Sequence, residues 1–207
     1  MTRVGRTVFA LVLVMAAGPV AAQRAFPAGH VSSGKLSFDA KATLGAFSGT
    51  TNTVTGAMTA GLELREVRGW VEAPVSSLKT GNGLRDKDLN KSMETDTHPT
   101  MRFDLESVSV QSESGDSAAV TLFGRFTIHG VKREVVVPAR IHYQADGIRV
   151  QSDIPMNVKD YGVTKLSKLL GTFKMNENIV VHIDVVFAPG EAPPSAAAPA
   201  EKPPPSD

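Results

Sequence analysis

Residues 35–44 read KLSFDAKATL and alternate between polar and apolar side chains. In an extended chain Leu36, Phe38 and Ala40 fall on one face, whereas Ser37 falls on the other. Successive side chains of a β-strand point to opposite faces, so this pattern indicates a strand with one buried and one solvated face. The segment therefore predicts one strand of a half-buried sheet.

The same alternation recurs through Phe187 and predicts eight strands in total. The later runs lie near residues 54–58, 67–75, 101–108, 120–128, 135–143, 148–156 and 179–187. A glycine-containing turn is expected at Gly45–Thr51, and one α-helix is expected over residues 85–95, after the third strand. Strands with so few helices between them indicate an all-β fold, an antiparallel sheet that is either closed into a barrel or folded into a sandwich.

The first 22 residues have the features of a cleaved secretory signal. Arg3 and Arg6 precede an apolar stretch over residues 8–17, and small residues end the segment at Ala22. The apolar stretch is too short to span a bilayer. The sequence therefore predicts export with cleavage after Ala22, and an uncleaved membrane anchor is the alternative.

The other end of the chain is rich in proline. Residues 189–207 contain seven of the 13 prolines. Proline at this density prevents a regular helix or sheet, so a disordered Pro/Ala-rich tail is predicted, acting as a solvated spacer or a docking segment. Between the two ends, residues 26–188 have a suitable length for one domain.

Charge and cysteine content exclude several classes of function. The chain carries 22 Lys and Arg against 21 Asp and Glu, and removal of Arg3 and Arg6 leaves the mature chain nearly neutral. Nucleic-acid-binding proteins normally present a basic surface, which disfavours nucleic acid as a partner. The sequence contains no cysteine. This rules out disulfides, thiol nucleophiles and thiolate metal sites.

Catalytic and metal-binding motifs are weak in this sequence. The five histidines are not spaced like pairs of ligands on one metal: they are His30, His98, His129, His142 and His182. The sequence contains no nucleophile elbow and no phosphate-binding glycine loop. It therefore predicts no metal, no cofactor and no catalytic residues, and an enzyme is a weaker hypothesis than a binding protein.

The apolar faces of the predicted strands are expected to share one interior. Their residues are mainly small or branched, so an eight-stranded barrel would leave room inside. A hollow barrel with one apolar ligand and a closed, filled core are both compatible with this composition. The predicted pore-lining residues are Phe38, Val71, Val75, Phe103, Leu122, Phe126, Val137, Ile141, Tyr143, Val150, Ile154, Val181 and Val185.

Residues 158–174 interrupt the alternation just before the last strand. Gly162 and Gly171 flank an apolar patch and can serve as hinges. The segment is predicted either to plug one end of the barrel or to form a lid over a ligand entrance. The predicted entrance residues are Tyr161, Leu166, Leu169 and Leu170.

Three segments carry more specific motifs. The first comprises residues 78–82, LKTGN, followed by 85–89, RDKDL, and 98–103, HPTMRF. The second is residues 122–135, LFGRFTIHGVKREV, and the third is residues 158–163, VKDYGV, followed by residues 165–170. In this order and spacing the chain resembles the YceI-like family of lipid- or polyisoprenoid-binding proteins, over residues 34–187.

The resemblance implies an eight-stranded antiparallel, lipocalin-like barrel that holds a long isoprenoid or fatty chain, in a protein exported to the periplasm or secreted. Such a protein shields a polyisoprenoid or an isoprenoid quinone without catalysis, as a monomer or a homodimer. Two alternatives stay open: an envelope stress-related enzyme acting on small hydrophobic molecules, and an interaction module that uses Trp70. Arg85 and Asp86 are expected to tie the helix to the barrel rim.

Overall fold

A computed structural model describes residues 25–43, 45–164 and 175–191. Within these residues, the strands are β1 (Gly29–Ala42), β2 (Gly45–Thr51), β3 (Thr55–Met58), β4 (Gly69–Pro74), β5 (Thr100–Ser114), β6 (Ser117–Ile128), β7 (Val131–Gln144), β8 (Gly147–Asn157) and β9 (Asn178–Pro189). The helix α1 spans Gly83–Ser92, and short 3-10 turns span Leu64–Glu66, Val75–Ser77 and Val158–Tyr161.

The sheet closes on itself through its first and last strands. β1 pairs antiparallel with β9, from Gly29 opposite Pro189 to Asp39 opposite Val180. The remaining strands follow in the order β3-β4-β5-β6-β7-β8-β9, and all these pairs are antiparallel. The result is the closed eight-stranded antiparallel barrel that the sequence motifs predict.

β2 is an additional strand in a segment where the sequence predicts a turn. It pairs with residues 36–42 of β1. Gly49 lies opposite Phe38, and a Cβ atom at residue 49 would be 2.3 Å from the Phe38 ring. Glycine therefore makes room for an aromatic side chain, and it weakens the strand pattern in the sequence at the same time. Because of this additional strand, α1 follows the fourth strand instead of the third.

The start of α1 is fixed by its N-cap residue. The Oδ1 atom of Asn82 accepts hydrogen bonds from the backbone N–H groups of Leu84 at 3.0 Å and Arg85 at 3.1 Å. These bonds satisfy two of the amide groups that the first turn of a helix leaves unpaired. The cap places the observed start two residues before the expected one.

Arg85 and Asp86 attach α1 to its surroundings by two different contacts. The Asp86 carboxylate accepts hydrogen bonds from the Thr80 hydroxyl at 2.6 Å and from the Thr80 amide at 2.8 Å. The bond from the hydroxyl is the main reason that the pKa of Asp86 is lowered from its ordinary value. The Arg85 guanidinium lies 4.3 Å from the centre of the Phe47 ring in β2. The helix is thus held against one end of the barrel.

The strand faces follow the alternation in the sequence. On β6, Leu122 and Phe126 are buried, whereas Phe123 is 39% exposed. On β7, Val137 is 2% exposed and its neighbour Val136 is 63% exposed. The buried faces of the strands together form the hydrophobic interior of the barrel.

Several sequence expectations fall outside the described residues. They concern the signal at 1–22, the tail beyond Glu191, and the entrance residues Leu166, Leu169 and Leu170. In the part of the chain that the structure describes, no helix combines the length and the apolar content needed to cross a membrane.

Candidate ligand-binding cavities

The barrel encloses two apolar cavities that adjoin each other. The first, called the α1-end cavity, has a volume of about 90 Å³ and reaches α1 and the 3-10 turn Val158–Tyr161. The second, called the distal cavity, has a volume of about 100 Å³ and reaches the 3-10 turn Leu64–Glu66. Each volume exceeds severalfold the space that one water molecule needs. Nearly all of the surface that lines both cavities is carbon.

The structure brings most of the predicted lining residues to these cavities. Phe38 and Val181 border the α1-end cavity. Val71, Phe103 and Phe126 border both cavities. The remaining six border the distal cavity: Leu122, Val137, Ile141, Val150, Ile154 and Val185. The single interior expected from the sequence is therefore divided into two.

Val75 and Tyr143, which the sequence places in the same interior, lie outside the linings of the two cavities. Val75 begins a 3-10 turn just after β4 and is fully buried in the hydrophobic core. Tyr143 lies near the end of β7, where its ring centre is 6.0 Å from that of Phe26 and its hydroxyl donates to Glu113 at 2.9 Å. It borders a separate hollow of about 220 Å³. Alternation identifies the face of a residue but not its height along the barrel, which explains both differences.

The two cavities meet at an aromatic contact. The ring centres of Phe103 and Phe126 are 4.9 Å apart, and the ring planes are inclined by 47°. Gly124 lies beneath this contact, and a Cβ atom there would be 2.9 Å from the Phe103 ring. The absence of a side chain at residue 124 therefore lets Phe103 lie against β6 in the middle of the barrel.

Methionine side chains contribute strongly to the linings. None of them is among the predicted pore-lining residues, yet all five methionines between residues 25 and 191 border a cavity. Four of them, Met93, Met101, Met156 and Met175, border the α1-end cavity, and Met58 borders the distal one. Methionine is unbranched and polarizable, so it adapts to irregular apolar shapes. A lining of this kind suits a flexible apolar ligand.

A buried ion pair forms part of the wall of the α1-end cavity. Glu72 is 3% exposed, and its carboxylate lies 3.2 Å from Nη1 of Arg102. The Arg102 Nε atom also donates to Asp104 at 2.7 Å, and its guanidinium lies 4.5 Å from the centre of the Trp70 ring. The Arg102 guanidinium thus pairs with two carboxylates of the protein. The cavity consequently offers a ligand apolar surface and shape.

Of the predicted entrance residues, Tyr161 belongs to the part of the chain that the structure describes, and it lies at the α1 end. Tyr161 is buried and borders the α1-end cavity, together with Val163 and Met175 on either side of residues 165–174. Burial raises the pKa of the Tyr161 hydroxyl from its ordinary value. Within the segment 158–174 that is predicted to act as a plug or a lid, Tyr161 and Val163 thus border the cavity, and Met175 borders it directly after the segment.

The same fold occurs in solved structures of low sequence identity. BcnA of Burkholderia cenocepacia has a TM-score of 0.62 at 14% identity, over 74% of this chain and 95% of that chain. A polyisoprenoid binding domain from Saccharophagus degradans, implicated in plant cell wall breakdown, has a TM-score of 0.64 at 15% identity, over 81% and 99%. The YCEI protein of Campylobacter jejuni has a TM-score of 0.55 at 20% identity, over 69% and 85%. At these identities the likeness shows the fold.

Comparison at the level of sequence identifies the family. A search of curated proteins gives no match. The family model of the YceI-like domain, however, matches residues 30–187, from the start of β1 to the end of β9. The protein belongs to the YceI-like domain family.

Proposed function

We propose that this protein is an exported, non-enzymatic binding protein that sequesters or carries a long-chain amphipathic lipid of the polyisoprenoid or isoprenoid quinone type. The observation that carries the proposal is the pair of adjoining apolar cavities inside one closed barrel. A long, thin apolar chain fits a narrow interior of this kind.

The length of the interior favours a long ligand over a compact one. Ile179 borders the α1-end cavity and Phe187 borders the distal cavity, on the same strand β9. Their separation along an extended strand is about 26 Å. Strands in barrels tilt by about 40°, so the lining extends about 20 Å along the barrel axis. Each CH₂ group moved from water into this interior contributes about 0.8 kcal/mol before ordering costs are subtracted.

Relatives and the N-terminal sequence support the class of ligand and the location. The structurally similar domain from Saccharophagus degradans is described as polyisoprenoid binding. The signal predicted over residues 1–22 is consistent with a periplasmic or secreted protein. In that compartment a barrel that shields a lipid chain would allow an apolar molecule to pass through water.

Binding without catalysis is favoured over an envelope enzyme by the chemistry of the α1-end cavity wall. General acid–base catalysis requires a titratable group positioned at the reacting atoms. The charged groups in this wall, Glu72 and Arg102, instead pair with each other. An interaction module based on Trp70 is disfavoured because the Trp70 ring is only partly exposed and is covered by the Arg102 guanidinium, 4.5 Å from its centre.

The single tryptophan provides a direct test of binding. Trp70 borders the distal cavity, so a quinone held there should quench its fluorescence. We expect saturable quenching by a quinone with a long isoprenoid tail, and weak quenching that rises linearly with concentration by the same quinone ring without a tail. Equal, unsaturated quenching by both compounds would contradict the proposal.

A further inference from the structure

Three potential metal ligands meet near the α1-end cavity. Glu94 follows the C-cap of α1, His98 lies in the turn before β5, and His129 lies in the hairpin between β6 and β7. One potential ligand atom from each of these side chains lies within 4.8 Å of the other two. We propose that Glu94, His98 and His129 form a binding site for a transition-metal ion, with Zn²⁺ as the best match.

The orientation of His129 leaves one ring nitrogen for a cation. Its Nδ1 atom lies 3.2 Å from the carbonyl oxygen of Tyr161, which can only accept a hydrogen bond. In the neutral ring the proton is then on Nδ1, and the lone pair on Nε2 faces Oε2 of Glu94 at 3.6 Å. Nε2 is buried and has no hydrogen-bond partner among the described residues. A metal-binding histidine commonly donates its second N–H group to a backbone carbonyl in this way.

The backbone around the cluster is shaped to bring these side chains together. Glu94 has φ 48° and His129 has φ 51°, and within the described residues they are the only non-glycine residues with positive φ. Such conformations are unfavourable for residues with a Cβ atom and concentrate at ligand sites. Gly130 follows with φ 74°, and a Cβ atom there would be 2.5 Å from the His98 ring. The absence of a side chain at residue 130 thus leaves space for the His98 imidazole against the hairpin.

The chemical types of the three proposed ligands favour Zn²⁺ over Ca²⁺ and Mg²⁺. Two imidazoles and one carboxylate match the donors that bind Zn²⁺, whereas Ca²⁺ and Mg²⁺ prefer oxygen ligands throughout. Tetrahedral ligands about 2.1 Å from zinc lie about 3.4 Å from one another. The 3.6 Å between His129 Nε2 and Glu94 Oε2 is close to this value. Small side-chain rotations would close the wider separations, and the 39% exposure of the Glu94 side chain gives a fourth ligand access from solvent.

The position of the site gives the metal a structural role next to the cavity. Met93 and Ile128, the neighbours of Glu94 and His129 in the sequence, both border the α1-end cavity. Tyr161, whose carbonyl orients His129, borders it as well. A metal here would join the end of α1, the β6–β7 hairpin and the turn that leads to residues 165–174. This inference stands independently of the lipid proposal.

Metal binding can be measured directly on tag-free protein. After dialysis against a chelator, we expect isothermal titration calorimetry with Zn²⁺ to give one saturable site per chain. Zn²⁺ should also raise the melting temperature, because a ligand that binds only the folded state stabilises it. His98→Gln and His129→Gln should each weaken Zn²⁺ binding by about tenfold or more. Absence of a saturable site in the wild-type protein would overturn the proposal, whether or not the variants fold.

A matched variant separates this site from other histidines. His182 lies next to Asp39 and Asp153 on the outside of the barrel and is the natural competitor for zinc. We expect His182→Gln to keep the affinity and stoichiometry of the wild type. Loss of binding in His182→Gln, or binding unchanged in both His98→Gln and His129→Gln, would also overturn the proposal. If His129 merely pairs with Glu94, no saturable zinc site will appear.

Discussion

The rings of Phe103 and Phe126, on neighbouring strands, lie with their centres 4.9 Å apart where the two cavities meet. Their tilted arrangement is a favourable geometry for an aromatic pair. Because each ring borders both cavities, a rotation of either side chain changes the opening between them. The two rings, together with Val71 and Ile183, border the place where the cavities meet.

Removing one ring of this pair should join the cavities and weaken the fold. We expect Phe126→Ala to lower the free energy of unfolding by about 3–5 kcal/mol, because a large buried side chain is lost and a cavity remains. Phe123 lies on the outer face of the same strand and is 39% exposed, so Phe123→Ala should cost roughly 1 kcal/mol. Urea unfolding of both variants measures the difference. Equal losses would show that Phe126 does not fill the centre of the barrel.

A carboxylate placed inside the barrel should lower the free energy of unfolding far more than one placed on the outer surface. Val137 is 2% exposed and borders the distal cavity, whereas the adjacent Val136 is 63% exposed. We expect Val137→Asp to cost about 3–5 kcal/mol and to abolish quinone quenching of Trp70, because an uncompensated carboxylate would be buried. Val136→Asp should cost about 1 kcal/mol or less and keep the quenching. Ligand binding retained in Val137→Asp would contradict the assignment of the cavity.

The N-cap of α1 should matter for both stability and ligand exchange. Asn82→Ala removes the acceptor for the amides of Leu84 and Arg85 and should cost about 1 kcal/mol. Because Leu89 and Met93 border the α1-end cavity, a less stable helix should also release a bound quinone faster. Lys87→Ala, on the exposed side of the same helix, is the control and should change stability by about 0.5 kcal/mol or less. Stopped-flow fluorescence of Trp70 gives the release rates, and identical rates in all three proteins would contradict this role of α1.

His182 connects three strands at the seam where the barrel closes. Its Nδ1 atom lies 2.6 Å from Asp153 and its Nε2 atom lies 3.2 Å from Asp39. The hydrogen bond to Asp153 is the main reason that the pKa of His182 is raised from 6.5. The hydrogen bond from Ser48 is the main reason that the pKa of Asp39 is lowered from 3.8. The folded protein therefore favours a protonated His182 beside an ionised Asp39.

The pH dependence of the unfolding free energy should follow from the raised pKa of His182 and the lowered pKa of Asp39. The stabilising contribution of His182 is fully present below pH 6.5 and is lost as the pH rises through the raised pKa. The contribution of Asp39 is present above pH 3.8 and is lost as the pH falls through its lowered pKa. The difference in unfolding free energy between the wild type and His182→Gln should thus be largest between these limits and shrink on the alkaline side.

An NMR titration separately checks what raises the pKa of His182. In Asp153→Asn the largest contribution to the raised pKa is removed, so the titration midpoint of His182 should fall towards 6.5. A midpoint that is the same in the wild type and in Asp153→Asn would contradict the network. So would a stability difference between the wild type and His182→Gln that does not vary with pH.

The barrel itself was predictable because burial and alternation coincide on its strands. Val136 and Val137 have the same side chain and opposite exposures, as period-two geometry requires. The β2 strand was not predictable from this pattern. Residue 49 is a glycine, which leaves space for the Phe38 ring but adds no apolar side chain to the alternation. A local pattern does not include the side chain that approaches from the opposite strand.

The identities of the residues that border the cavities were harder to predict than the presence of an apolar interior. Met101 and Met156 lie on inward positions of β5 and β8, so alternation could have identified them, but Met175 precedes β9 and carries no such signal. The cluster of Glu94, His98 and His129 arises from a helix end, a turn and a distant hairpin. The spacing of histidines in the sequence does not show contacts that only the closed barrel creates.

Mass spectrometry of an organic extract tests most directly whether the barrel holds a long-chain lipid. The protein should be purified without detergent from a host that exports it. We expect close to one long-chain isoprenoid or isoprenoid quinone per chain, still present in Val136→Asp and lost in Val137→Asp. Repeated wild-type extracts without a bound lipid, from folded protein that also fails to bind added isoprenoid quinone, would contradict the claim.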